Sequence, residues 1–130
     1  MKAILIDVSN QCLQLIDVGM HMSEVYDVLE CKHITAVYPL PFAFTTDIFY
    51  VDDRALEKPL KEISGAFFLG EPRQPIFGNA LIVGCDRKGL RTEPLITLAG
   101  LSTKIRFLDP GEVVLYHTLM EDAPPKIYYW

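Results

Sequence analysis

The residues best suited to chemistry are few and widely spaced. Cys31-x-His33 is the closest thiol–imidazole pair, with His21 ten residues upstream and Cys12, Cys85 and His117 farther away. On an extended backbone Cys31 and His33 share one face, the arrangement a Cys–His nucleophile or part of a zinc site would use. Zinc needs three or four ligands, and no C-x-x-C spacing supplies them locally. A catalytic thiol also needs a depressed pKa, for which a sequence offers no sign. The simpler reading is a small buried thiol beside a surface histidine. We therefore expect no catalytic set and no metal, with a Cys31/His33 hydrolase the weakest of three functional readings.

Asp52-Asp53-Arg54 is the second grouping. Adjacent carboxylates suit a hard divalent cation, but Glu57 is the nearest further acid and no third ligand stands beside it. Aspartate is also favoured where a helix begins, because it accepts from unpaired amides there. Capping is the expected role. Gly78-Asn79 and Gly84-Cys85-Asp86-Arg87-Lys88-Gly89 are glycine-rich without forming G-x-x-x-x-G-K-[ST] or G-x-G-x-x-G, so no cofactor is expected. Glycine there marks bulges, turns or close approach of another backbone. If these turns bind a small anionic ligand such as a nucleotide, Arg54, Arg73, Arg87 and Lys88 are the cations to contact it.

The elements that would position these groups are mostly strands. Lys2–Val8 and Cys12–Val18 flank Ser9-Asn10 and read as an antiparallel hairpin. Ser23 is placed to cap a helix over about 23–31, followed by strands at 33–40 and 47–51. A short helix follows Asp52 or Asp53 and is interrupted by Pro59. Ala66–Gly70 is a short apolar segment, strand or packed loop. Ile76–Cys85 is the best buried strand, with Leu90–Pro94 pairing back on it. Leu95–Gly100 is ambiguous between strand and helical turn. Lys104–Leu108 and Glu112–Thr118 read as two strands around the turn Asp109-Pro110-Gly111. Many short strands with one or two short helices predict a single α+β domain over 1–130, mostly β, with a mixed or antiparallel sheet.

Tyr50-Val51-Asp52-Asp53 and Gly78-Asn79-Ala80-Leu81-Ile82-Val83-Gly84-Cys85-Asp86, with Gly89 after it, carry a resemblance. The segment Phe49–Pro94 resembles a family of small proteins of unassigned function from bacteria, their phages and mobile elements. That resemblance implies an accessory role and transfers no catalytic residue. It has no counterpart after Leu95.

Bulk composition narrows the partners. The chain has 130 residues, half of them hydrophobic, with 12 Lys and Arg against 17 Asp and Glu for a net charge of −5. Scattered cations on an acidic chain disfavour nucleic acid, since phosphate contacts need clustered Lys and Arg. Met1–Ile6 opens like a signal peptide, but Asp7 cuts the apolar run, and no stretch is long enough to span a bilayer. A cytoplasmic location without membrane attachment is the expectation. The C-terminal Tyr128, Tyr129 and Trp130, after Pro124-Pro125, form a rigid aromatic group suited to an interface. The leading functional reading is a non-enzymatic accessory protein that binds a host protein or a second copy of itself. Small-ligand binding is the alternative.

Overall fold

A computed structural model of the chain describes residues 1–19, 21–37, 46–70 and 75–121. Among them are nine strands, all paired antiparallel, and three α-helices, giving the expected α+β, mostly β architecture. The elements are β1 (Lys2–Asp7), β2 (Cys12–Asp17), α1 (Met22–Leu29), β3 (Ile34–Val37), β4 (Ile48–Asp52), β5 (Ala66–Leu69), β6 (Ile76–Phe77), β7 (Ala80–Cys85), β8 (Arg91–Thr92), α2 (Leu98–Ser102), β9 (Ile105–Phe107) and α3 (Pro110–Glu121). Two 3₁₀ turns, Ala55–Glu57 and Leu60–Glu62, link β4 to β5. No helix among the described residues is long and apolar enough to cross a membrane.

The main sheet has the order β2-β1-β7-β4-β3, with β8 pairing to the end of β7; the smaller sheet runs β6-β5-β9. Side chains alternate across each strand, so each sheet separates two cores. Ile4, Ile6, Phe49, Val51, Ala80 and Ile82 face the small sheet, where Phe67 and Leu69 meet them. Ala3, Leu81 and Val83 face the opposite way, onto Val25 and Leu29 of α1. On the far side of the small sheet Ala66 and Phe68 pack under α3 with Phe77, Leu108 and Val113. The layers are thus α1, main sheet, small sheet and α3. Burial on both faces explains why β7 is a near-continuous apolar run rather than an alternating one.

The hairpin forms as expected, with Asp7 opposite Cys12. Elsewhere four local expectations change. Ile76–Cys85 is not one strand. Gly78 takes φ +84°, turning the chain from the small sheet at Ile76–Phe77 into the main sheet at Ala80. The cap of α1 is His21 rather than Ser23, which lies inside the helix, and the His21 side chain makes no capping bond. The Glu24 carboxylate accepts the Gly19 N–H instead. The ambiguous stretch after Leu95 becomes α2, whose Thr97 hydroxyl accepts the Gly100 N–H at 3.0 Å.

The largest change is Glu112–Thr118, which is helix and not strand. Asp109 Oδ1 accepts the Glu112 N–H at 2.8 Å, while Glu112 Oε1 accepts the Asp109 N–H at 3.2 Å. This reciprocal pair, with Pro110 at the first helical position, nucleates α3 despite its β-branched Val113-Val114. Glu112 also meets Arg106 at 3.0 Å, and that contact holds its carboxyl below the usual range. Asp109→Ala is expected to lower stability by about 0.5–2 kcal/mol, the usual cost of losing a cap. Urea unfolding measures it; an unchanged midpoint would mean that tertiary packing alone holds the helix start.

Candidate functional site

The structure gathers three marked sequence segments at one end of the main sheet. Val51 pairs with Ala80, so Asp52, at the end of β4, and Asn79, just before β7, lie at the same edge. Asn79 Oδ1 accepts the Val8 N–H at 2.9 Å, fastening the β1–β2 turn and its Ser9 beside them. Asp52 is buried. Its Oδ1 accepts the Arg54 N–H at 2.9 Å, and its Oδ2 meets Lys58 Nζ at 3.1 Å. Neither aspartate caps the helix as expected: the first 3₁₀ segment starts from Arg54 with no side-chain cap, Asp52 instead holds the turn before it through the Arg54 N–H, and Asp53 is exposed.

A cleft of ≈ 270 Å³ opens over this edge, lined by Ser9, Glu30, Asp52, Lys58, Glu62 and Asn79 among others. A second, of ≈ 390 Å³, adjoins it and is more apolar, with Leu60, Leu108, Pro110, Val113 and Val114. Ser9, Ile63 and Ser64 line both, so the charged cleft and the more apolar one lie side by side. The 58–64 segment between them is pinned to α3 by buried His117, whose Nε2 lies 3.2 Å from the Lys58 carbonyl oxygen. The His117 ring also stands edge-on to Phe77 at 6.3 Å.

The Cys31/His33 pair gains no activated thiol here. Burial pushes the Cys31 thiol up, and the nearby Asp52 carboxylate pushes it further. A thiolate nucleophile needs the opposite field. His33 is exposed and its carbonyl accepts the Asp53 N–H at 2.8 Å. Cys12 and Cys85 stand elsewhere with free thiols. Among the described residues no group of three or more His, Cys, Asp and Glu converges to hold a metal ion.

Of the cations read as an anion site, Arg54 does not come together with Arg87 and Lys88. Arg54 follows the end of β4, whereas Arg87 and Lys88 follow the end of β7, and the antiparallel β4–β7 pairing puts those ends at opposite edges. Arg54 lies 4.0 Å from Glu57, and Arg87 and Lys88 are exposed in the β7–β8 turn. Arg73 lies outside the described residues, as do Tyr128, Tyr129 and Trp130.

Sequence reading did not single out the outer face of α3. Val113, Tyr116, His117 and Met120 face inward, but Val114, Leu115 and Leu119 are 47%, 53% and 61% exposed. Gly111 and Thr118 lie on that face too, so from Gly111 to Leu119 its exposed residues are all uncharged. The signal was present, since a helix that is apolar on every side implies cover on every side. It could be used only once 110–121 was known to be helical. No family model, no curated protein and no solved structure matches the chain.

Proposed function

We propose that this protein is a non-enzymatic binding domain that works by protein–protein contact, with the outer face of α3 as its principal contact surface. The observation that carries the reading is the exposed, uncharged row Val114, Leu115 and Leu119 on a chain of net charge −5. Contiguous apolar surface of this kind marks interaction sites on soluble proteins. A second copy is the favoured occupant. Two chains that repel through their acidic surfaces can approach where neither presents charge, and a two-fold axis would lay one α3 against the other. A stable interface buries about 1,200–2,000 Å² in total, more than one short helix face supplies. Tyr128, Tyr129 and Trp130, read from the sequence as interface residues, belong to the same proposal. The resemblance of Phe49–Pro94 to proteins of phages and mobile elements supports an accessory role, with a host protein as the competing occupant.

The test is light-scattering mass on a sizing column. The intact chain should run at twice 14.7 kDa, and the double substitution Leu115→Glu, Leu119→Glu at the single-chain mass with an unchanged far-UV circular dichroism spectrum. Like charges placed opposite one another in a symmetric contact would oppose pairing. An intact chain that stays monomeric at high concentration would remove self-association.

A further inference from the structure

We infer that β2, the outer strand of the main sheet, pairs antiparallel with β2 of a second copy, so that the main sheets of two chains join edge to edge. β2 is the longest strand at an edge of either sheet. The Val18 N–H donates to the Met1 carbonyl at 2.9 Å, so every second residue back along the strand bonds to β1. The main-chain N–H and C=O groups of Leu13, Leu15 and Asp17 therefore point away from the sheet, and among the described residues nothing pairs with them. None of the six β2 residues is buried, and Leu15 is 54% exposed, so the edge is open along its length. Sheet edges are usually guarded by a charged side chain, a Pro or a bulge. The stretch Cys12–Ile16 has none of these, whereas β9, an outer strand of the small sheet, carries Arg106 at its centre.

The order of residues in β2 argues for a second copy as the occupant. A two-fold axis through Gln14 sets Leu13 of each chain opposite Leu15 of the other, and both present their main-chain groups outward. Leu13 and Leu15 pair with Ile6 and Ile4 of β1, so they lie on the face that covers the core between the sheets. The contact thus gives the exposed Leu15 an apolar neighbour. In the same register Cys12 meets Ile16, and Gln14 meets Gln14, amide to amide. Asp17, the one acid in the strand, falls opposite Gln11 and already meets Lys2 Nζ at 3.0 Å. Two chains of net charge −5 therefore form this ladder without setting like charges opposite each other. An axis through Leu15 would put Asp17 against Leu13, and one through Leu13 would put Leu15 against Gln11, so Gln14 is the favoured centre. The α3 face lies outside the small sheet, so this contact adds a second, separate surface to the self-association reading. A single strand pair buries less than the about 1,200 Å² of a stable interface, so it forms briefly in dilute solution and is read by trapping.

Disulfide trapping in the full chain tests this, with mass spectrometry of the cross-linked peptides identifying the joined residue. Gln14→Cys places two thiols across the axis at a Cα separation of about 4.5 Å, inside the range a disulfide bridges. Leu15→Cys places them two residues out of step, beyond the roughly 7 Å limit. With oxidised glutathione, position 14 is expected to cross-link to itself about tenfold faster than position 15, and in concentrated urea the two rates should be equal. Adding Leu15→Lys to the Gln14→Cys chain should slow the linkage about fivefold with the far-UV circular dichroism spectrum unchanged, because it restores a charged guard to the edge. Adding Leu115→Glu and Leu119→Glu should leave the rate within about twofold, which separates this contact from that of α3. The inference is overturned if position 15 cross-links as fast as position 14, if Leu15→Lys has no effect, or if the linkage is lost with the α3 substitutions.

Discussion

Replacing Asp47 with alanine should cost about 3–5 kcal/mol, although Asp47 lines neither cleft. Its side chain is almost fully buried at 1% exposure, and its two oxygens accept the Leu95 N–H at 2.7 Å and the Ile96 N–H at 2.9 Å. Hydrogen bonds to a charged group contribute roughly 1.5–3 kcal/mol each, and removing the acceptor takes both bonds away from two part-buried amides. These amides begin the chain's path into α2, whose Leu101 is wholly buried in the core between the sheets with Ile96 and Leu98 packed beside it. Asp47 therefore ties the start of β4 to the placement of α2, forty-eight residues later at Leu95. Since domains of this size are stable by only about 5–15 kcal/mol, the loss should be plain in urea unfolding. Asp47→Asn keeps one carbonyl acceptor and should lose about half as much. A shift below about 1 kcal/mol for the alanine variant would mean that water or a moved backbone replaces the carboxylate.

Nothing in the local sequence identifies Asp47 as such a residue, and the reason is general. Features written within a few residues of one another were legible. Ser9-Asn10 between two apolar runs gave the β1–β2 hairpin, and the unbroken Ala80–Val83 run marked a strand covered on both faces. Partners distant along the chain were not legible. The insertion of β7 between β1 and β4 depends on pairings such as Ile4 with Ile82, which no local pattern encodes. Local signals also competed. Val113-Val114-Leu115 reads as strand by residue type, and the Asp109/Glu112 cap that decides for helix was overshadowed by the turn signal of Asp109-Pro110-Gly111. At the charged cleft, Asp52 and Gly78-Asn79 were each marked in the sequence. Their meeting with Ser9, Lys58, Glu30 and Glu62 follows only from the sheet order.

The consequence of that layered order is clearest at Phe67, where substitution by alanine is expected to destabilise the protein by about 3–5 kcal/mol. Phe67 and Phe68 are neighbours on β5, yet they point into different cores. Phe68 faces α3, meeting the Tyr116 ring edge-on at 5.3 Å with the Arg106 guanidinium 4.9 Å from its ring centre. Phe67 faces the main sheet, is 0% exposed, and shares a cluster with Ile4, Ile6, Phe49 and Ile82. It sits in the middle of the small sheet, opposite Ile76 on one side and Phe107 on the other. Truncating it opens a void where the two sheets meet, and the backbone pairs on both sides of β5 resist the collapse that would fill it. The lost transfer energy then adds to an unrelaxed cavity. Phe67→Leu retains most of the volume and should cost less than half as much. Urea unfolding of both variants, with hydrogen exchange along β5 and β9, checks the account: the alanine variant should lose protection in the small sheet first. A cost under about 1.5 kcal/mol, or protection lost first in β1 and β2, would mean that the small sheet is not held to the main sheet through Phe67.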